Sequence, residues 1–394
     1  MKKSRITAII SIMSLSFLTM SITATTPALA SIGKAFPGID GSTLILLSTL
    51  PALAVVPFSI LAGKLAGSKI KFRTLALLGT LIITIAGVLP YFINDFYAIL
   101  ATRAIFGAGA GLIAPLPTTL IMDLFDGNTR ENLMGMNNVV MNAGGMAFQM
   151  IAGILCAIYW RNTFIVYLIC IITLMFVFFF LPEPTKVENK IEDTEIKGGM
   201  NAVAYIWISA FVLLVFFTYP FYLNMSSLIE QGNLGTAAVT GLVLTVSTVG
   251  GMLASTFFGI VFRFAKRRTV SIGFFFCTVS YIIVIFGNSV VAFTLASLLS
   301  GFGMGFIGPA VFMNVGLAVA PATRAFAMSL MMALPNLAMF LTSYFFAFIK
   351  SAFNITYNRY IFVIGLAFYM FGAIFFWFVN LDKKRKNEEV ETLE

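Results

Sequence analysis

Apolar runs long enough to cross a bilayer recur along the whole chain, and no other feature limits its fold so strongly. A hydrocarbon core about 30 Å thick takes about 20 consecutive apolar residues at the helical rise of 1.5 Å. Such runs lie at 6–32, 43–66, 74–93, 97–122, 134–158, 163–181, 201–223, 236–262, 269–289, 291–317, 326–349 and 360–381, which makes twelve predicted spans. The chain is 59% hydrophobic and only 10% charged, against about 25% charged in a soluble domain. The first run also has the outline of a secretory leader: Lys2, Lys3 and Arg5, an apolar stretch, then Ala28-Leu29-Ala30. A leader's apolar core is only about 7–15 residues, whereas this run extends from Ile6 to Ile32. A released product of this composition would not stay in solution. We therefore read 6–32 as span 1 and the Ala-x-Ala as coincidental.

Twelve spans place both termini on one side, and the charges identify it. The segments on that side carry 20 Lys and Arg, and the opposite loops carry four: Lys34, Arg161, Lys350 and Arg359. Cationic residues mark the cytoplasmic side, so both termini are expected there, in a cell membrane. The net charge of +9 follows from this topology and calls for no nucleic acid. The stretch "PEPTKVENKIEDTEIKGGM" is charged and poor in apolar residues, so 182–200 reads as a cytoplasmic linker. It divides an N-terminal six-helix bundle, 1–181, from a C-terminal one, 201–381, with a cytoplasmic tail over 382–394.

The two halves repeat. At a constant offset of 194 residues, Gly107, Gly109, Gly111, Pro115, Arg130 and Asn142 meet Gly301, Gly303, Gly305, Pro309, Arg324 and Asn336. Gly63, ahead of one basic loop, corresponds to Gly259 ahead of another. Two parallel repeats of six spans are a transporter arrangement, with the substrate held between the repeats near mid-membrane. The glycine triplets of spans 4 and 10 allow close backbone approach.

The residues at this point resemble the major facilitator superfamily, and within it the twelve-span drug:proton antiporter branch. "TTPALASIGKAF" at the end of span 1 is similar to that branch's Pro-containing exit. "LATRAIFGAGAG" places Arg103 and Gly107 as its Arg-x-x-x-Gly motif does, and "YWRNTF" is similar to its Trp-Arg corner. The resemblance implies an all-α integral membrane fold of two pseudo-symmetric six-helix bundles. It also implies alternating access, proton coupling and a role for Arg103 in that coupling. Two stretches depart from the pattern. The loop "GKLAGSKIKFR" keeps Gly63, Leu65, Ala66 and the trailing Lys71 and Arg73, but Gly67 stands where the family has the Asp of a cytoplasmic latch. Asp123 at the end of span 4 is expected to retain part of that latch, paired with Lys71 or Arg73. In span 5 "NAGGMAFQMIAGI" has Phe148-Gln149 where the antiporter signature has Gly-Pro.

Arg103 is the one full charge placed well inside a span, at a cost of about 2.5–3.5 kcal/mol on insertion scales. It reads as a coupling element or, alternatively, as an arginine that snorkels to the outer interface or is capped by backbone carbonyls. None of the 16 acidic residues falls in a span core, and there is no His. A desolvated cationic cargo would need a buried carboxylate, so the cargo is expected to be neutral or anionic. Uncharged polar residues supply the candidate substrate contacts: Thr23 and Thr26 on span 1, Asn138, Asn142 and Gln149 on one face of span 5, Asn314 on span 10 and Asn336 on span 11. Tyr219 joins them from the aromatic wall of span 7. Hydrogen bonds between helices account for such residues equally well. Cys156, Cys170 and Cys277 lie in three different spans and read as apolar fillers. No phosphate-binding GxxxxGK[ST], metal-ligand spacing or nucleophile–base pair is present, so we expect no cofactor and no enzyme.

The chain is thus expected to be a monomeric secondary transporter that exports a drug-like or metabolite-like small molecule in exchange for protons. An importer or facilitator of an organic anion or sugar-like solute is the first alternative. A non-transporting receptor or scaffold that kept the fold is the second.

Overall fold

The computed structural model describes residues 2–39, 41–184, 200, 202–234, 237–266, 268–353 and 359–378. Most of the expected linker and the whole of the expected tail lie outside the described residues. Every regular element among them is helical, apart from one isolated bridge between Ala66 and Ile70. Among the described residues, eleven helical stretches are both long and apolar enough to cross a bilayer. The remaining expected span, 326–349, falls on a 32-residue helix, Pro321–Ala352.

The chain forms two compact units. The first comprises Met1–Phe125, Val140–Gly199 and Ala320–Asn336; the second comprises Asp126–Val139, Met200–Val319 and Leu337–Glu394. The units are not simply the two halves of the chain, because two long helices each contribute to both.

In the first unit, span 1 is interrupted: α1 (Lys2–Thr19) gives way to a 3-10 helix, Ser21–Ala28, before α2 (Leu29–Ala35). The sequence explains the break. Hydroxyls of Ser11, Ser16, Thr19 and Thr23 donate back to carbonyls three or four residues earlier, which competes with regular helical bonding. Next come α3 (Gly41–Leu65) and α4 (Phe72–Val88). The turn between them needs a glycine: Gly67 has φ +73, donates its N–H to Ile70 O at 2.9 Å, and has the Phe72 ring where a Cβ would lie. A residue with a side chain is disfavoured there, which is a physical reason for Gly in place of the family's Asp. Span 4 is split at Pro115 into α5 (Phe96–Ile113) and α6 (Leu116–Leu124). Helix α7 (Gly127–Ile158) begins at 127 rather than 134 and supplies its later turns to this unit. Span 6 begins as a 3-10 helix, Trp160–Ile169, and continues as α8 (Cys170–Phe180).

The second unit holds α9 (Ala202–Gln231), α10 (Ala237–Ala265), α11 (Arg268–Phe286), α12 (Val290–Ala318), the later part of α13 (Pro321–Ala352) and α14 (Tyr360–Phe378). It also takes the first turns of α7.

The repeated glycine triplet does the same work in each unit. A Cβ at Gly111 would lie 2.7 Å from Val55 O on α3, and one at Gly109 would lie 2.9 Å from Gly79 O on α4. In the second unit a Cβ at Gly305 would lie 2.8 Å from Ala254 Cβ on α10, and one at Gly303 2.7 Å from Gly273 O on α11. In both units, therefore, the triplet helix packs backbone-to-backbone against two neighbours at once. Large apolar side chains such as Phe178, Val291 and Phe371 remain exposed on outward faces, as lipid-facing surfaces require.

Candidate functional site

Arg103 is the only buried charged side chain among the described residues, at 1% exposure. Its Nη2 donates to Ala86 O at 2.7 Å and to Gly87 O at 3.4 Å, where α4 ends. Its Nη1 donates to the Tyr167 hydroxyl at 3.3 Å. The guanidinium carbon lies 4.8 Å from the centre of the Phe106 ring, 5.3 Å from that of Phe164 and 5.2 Å from that of Tyr167. Such cation–π contacts are strongest in dry surroundings. Nε is buried with no hydrogen-bond partner among the described residues. Of the two sequence readings of Arg103, these contacts are those of an arginine capped by carbonyls.

Tyr167 extends the cluster to span 1. Its hydroxyl donates to Ser21 O at 3.3 Å, the first residue of the 3-10 stretch. Gly87 makes room for its ring: a Cβ there would lie 2.6 Å from Tyr167 Cγ. Arg103 on span 4 therefore reaches the interruption in span 1 through a residue of span 6. The hydroxyls of Ser21 and Thr25 in that interruption are buried with no partner among the described residues. Tyr167, Ser21 and Thr25 were not singled out from the sequence. Only the position of Tyr167, which falls on span 6 as Arg103 falls on span 4, hinted at a role.

In the second unit the first span, α9, runs unbroken through Pro220, and side chains of neighbouring helices bond to its carbonyls there. Pro220 has no N–H to give to Phe216 O. Thr342 Oγ1 supplies that bond at 3.1 Å, and the Tyr281 hydroxyl donates to Phe217 O at 2.6 Å. Tyr369 shares a hydrogen bond with Thr218 and packs on Tyr281 with ring centres 4.7 Å apart. Sequence spacing carried no signal for this set.

The gating residues are arranged differently from expectation. Asp123 forms an ion pair with Arg324 of α13, not with Lys71 or Arg73. Arg324 Nη1 also lies 3.4 Å from Met122 O, and the two charged side chains are only 15% and 13% exposed. Lys71 is an exposed residue at the start of α4. Arg73 turns to α8 instead, donating to Phe178 O and stacking 5.5 Å over its ring. The start of α4 is capped by Glu183, which accepts from Phe72 N at 2.7 Å and Arg73 N at 3.1 Å; sequence analysis had left Glu183 in the linker. Gly63 lies against the same part of α13 as Asp123, and a Cβ there would lie 2.7 Å from Ala325 O. The second unit repeats this contact with the first turns of α7. Gly259 faces Asn132, whose Oδ1 accepts from Arg263 Nη2 at 3.1 Å, and Arg263 Nε lies 3.7 Å from Glu131.

The candidate substrate residues are divided between the units. In the first, the Thr23 hydroxyl donates to Met20 O at 2.8 Å and faces Gly145, one turn beyond Asn142. Asn142 is half-buried, Gln149 is exposed and Asn336 is tied to Met332 O at 2.7 Å. The side chain of Thr26 lies outside the described residues. In the second unit, Asn138 Nδ2 donates to Ser255 Oγ at 2.7 Å, and Ser255 in turn to Gly305 O at 3.0 Å, so Asn138 joins helices. Tyr219 is half-buried. Asn314 keeps a buried amide nitrogen with no partner among the described residues.

The repeated spans and the glycine triplets find their match in a known family. The model of the Major Facilitator Superfamily fits residues 9–231 and 206–393.

The chain belongs to the Major Facilitator Superfamily. It is a multi-pass membrane transporter of that superfamily. Among solved structures it is similar to the human organic anion transporter MFSD10 (TETRAN), at 16% identity and a TM-score of 0.79 over 95% of this chain and 99% of that one. It is also similar to a double Trp mutant of XylE, at 15% identity and a TM-score of 0.79 over 97% and 98% of the two chains. A third likeness is to FucP in the outward conformation, at 14% identity and a TM-score of 0.73 over 93% and 98%. These likenesses show the fold alone. No curated protein matches the chain by sequence.

Proposed function

We propose that this transporter moves a neutral or anionic small molecule by alternating access, most simply as proton-coupled export across the cell membrane with both chain ends in the cytoplasm. The observation that carries the charge of the cargo is Arg103: the only buried charge among the described residues is cationic. A cationic cargo held nearby would lack a counter-charge and meet a like one. The uncharged side chains of Thr23, Thr26, Asn142, Gln149, Tyr219, Asn314 and Asn336 are the proposed contacts for hydroxyl, carbonyl or carboxylate groups, while Asn138 is already committed to Ser255. Asp123, Arg324 and Gly63 form the proposed gate at the basic-loop end, which breaks and re-forms in each cycle.

Import of a sugar-like or organic-anion solute is the second reading. It draws on the same lack of a buried carboxylate, and on the sugar symporter and organic anion transporter among the similar folds. Inside-out vesicles with an imposed pH gradient separate the two. Export predicts solute accumulation driven by an acidic lumen, and import predicts solute loss under the same gradient. Robust transport of quaternary ammonium dyes overturns the proposed cargo charge in either case.

A further inference from the structure

Each unit carries a predominantly apolar outward groove with an arginine at one end, and the two grooves occupy repeat-related positions. In the first unit it runs between α4 and α8, lined by Leu77, Leu81, Leu174 and Phe178, with a volume of about 320 Å³. In the second it runs between α11 and α14, lined by Ile272, Phe276, Ile374 and Trp377, with a volume of about 490 Å³. Arg73 lies one turn before Leu77 and stacks 5.5 Å over Phe178. Arg268 lies one turn before Ile272 and stacks 4.8 Å over Trp377. Lys69 and Lys71 are exposed beside the first groove, and Lys266 beside the second.

We propose that each groove binds one anionic phospholipid, with an acyl chain lying between the helices and the phosphate at Arg73 or Arg268. An apolar slot opening towards lipid, with a cation and an aromatic ring at one end, matches the two parts of that ligand. Stacking on the ring leaves N–H groups of the guanidinium edge to donate to phosphate oxygens, although at Arg73 one of them already bonds to Phe178 O. A second copy of the chain fits less well, because a symmetric contact would bring the same cations together. The sites are unequal. Glu183 sits at the start of α4 on the N–H groups of Phe72 and Arg73 and offsets the positive field there. No described carboxylate lies within 4 Å of Arg268. The groove of the second unit is therefore the tighter site.

Native mass spectrometry of the full-length protein from mixed micelles of phosphatidylglycerol and phosphatidylcholine tests this. The wild type is expected to retain up to two phosphatidylglycerol molecules in preference to phosphatidylcholine. Arg268→Gln should weaken retention about five-fold, the effect of one cation at a charged lipid surface. Arg268→Lys should recover most of it, Arg73→Gln should do less, and the pair of Gln substitutions should abolish the preference. Ala373→Trp, which fills the second groove and leaves the charges in place, should also lower retention. Equal retention of the two lipids by the wild type, or an unchanged preference in the double variant, overturns the proposal. So does full retention in Ala373→Trp, or displacement by free glycerol phosphate, since both would mean a headgroup contact without a groove. A thermal scan of each variant separates loss of lipid from loss of fold.

Discussion

The glycine triplets allow a prediction whose sign is set by two opposing terms. At an open helical position Gly→Ala stabilises by about 1 kcal/mol, because Ala loses less backbone freedom on folding. At Gly301 a Cβ would lie 2.8 Å from the carbonyl carbon of Ser247 and 2.9 Å from Gly251 N, and closer still to Ser247 O. These are backbone atoms of α10, so no rotamer change relieves the contact and the two helices must separate. Overpacking of this kind typically costs about 1–3 kcal/mol, with further loss from the packing given up along the seam. The expected net effect of Gly301→Ala is a destabilisation of about 2 kcal/mol. Gly107→Ala, with Pro51 Cα 2.7 Å from the new methyl, should follow closely. Gly308 lies on the same helix as Gly301 with nothing within 4 Å of its Cβ position, so Gly308→Ala should hold or raise stability. The assay is thermal unfolding in one detergent at one scan rate, since unfolding of such proteins is read as a rate. The expected order of stability is Gly308→Ala, wild type, Gly107→Ala, Gly301→Ala. If Gly301→Ala melts at or above the wild type, or Gly308→Ala falls as far, the close-approach argument is wrong.

Three further outcomes follow from the contacts described. Asp123→Asn and Arg324→Gln should each destabilise, and the exchange Asp123→Arg with Arg324→Asp should recover part of the loss; a double-mutant cycle should give a coupling of about 1–3 kcal/mol, and a coupling near zero would remove the pair from the proposed gate. Tyr167→Phe should cost about 1 kcal/mol and speed amide exchange within Ser21–Ala28, with Arg103→Gln worse and Arg103→Lys between them; unchanged exchange in that stretch would show that Tyr167 does not hold it. Thr342→Val should cost about 1–3 kcal/mol by leaving Phe216 O without a donor. That cost should shrink when Pro220→Ala restores the helical N–H, and equal costs in both backgrounds would refute this account of the bond to Phe216 O.

The sequence by itself determined the helical membrane fold, the repeat and its register, and the position of the one buried charge. Hydropathy and helical rise are properties of a local stretch, and the offset of 194 residues aligns Gly107–Gly111 with Gly301–Gly305 without any knowledge of packing. The interruption of span 1 was not legible, because hydropathy reads 6–32 as one continuous run. What only the tertiary structure decided was who touches whom. Asp123 and Arg324 are 201 residues apart, and Tyr167 and Ser21 are 146 apart, so no local pattern pairs them, and the family resemblance pointed Asp123 to Lys71 or Arg73 instead. Asn138 and Asn314 read alike in sequence, yet one is bonded to Ser255 and the other has a buried amide with no partner among the described residues. A polar side chain in a membrane helix is chemically the same residue whether it joins two helices or faces a solute. Its role depends on the atom that packing places opposite it, and that atom comes from a distant part of the chain.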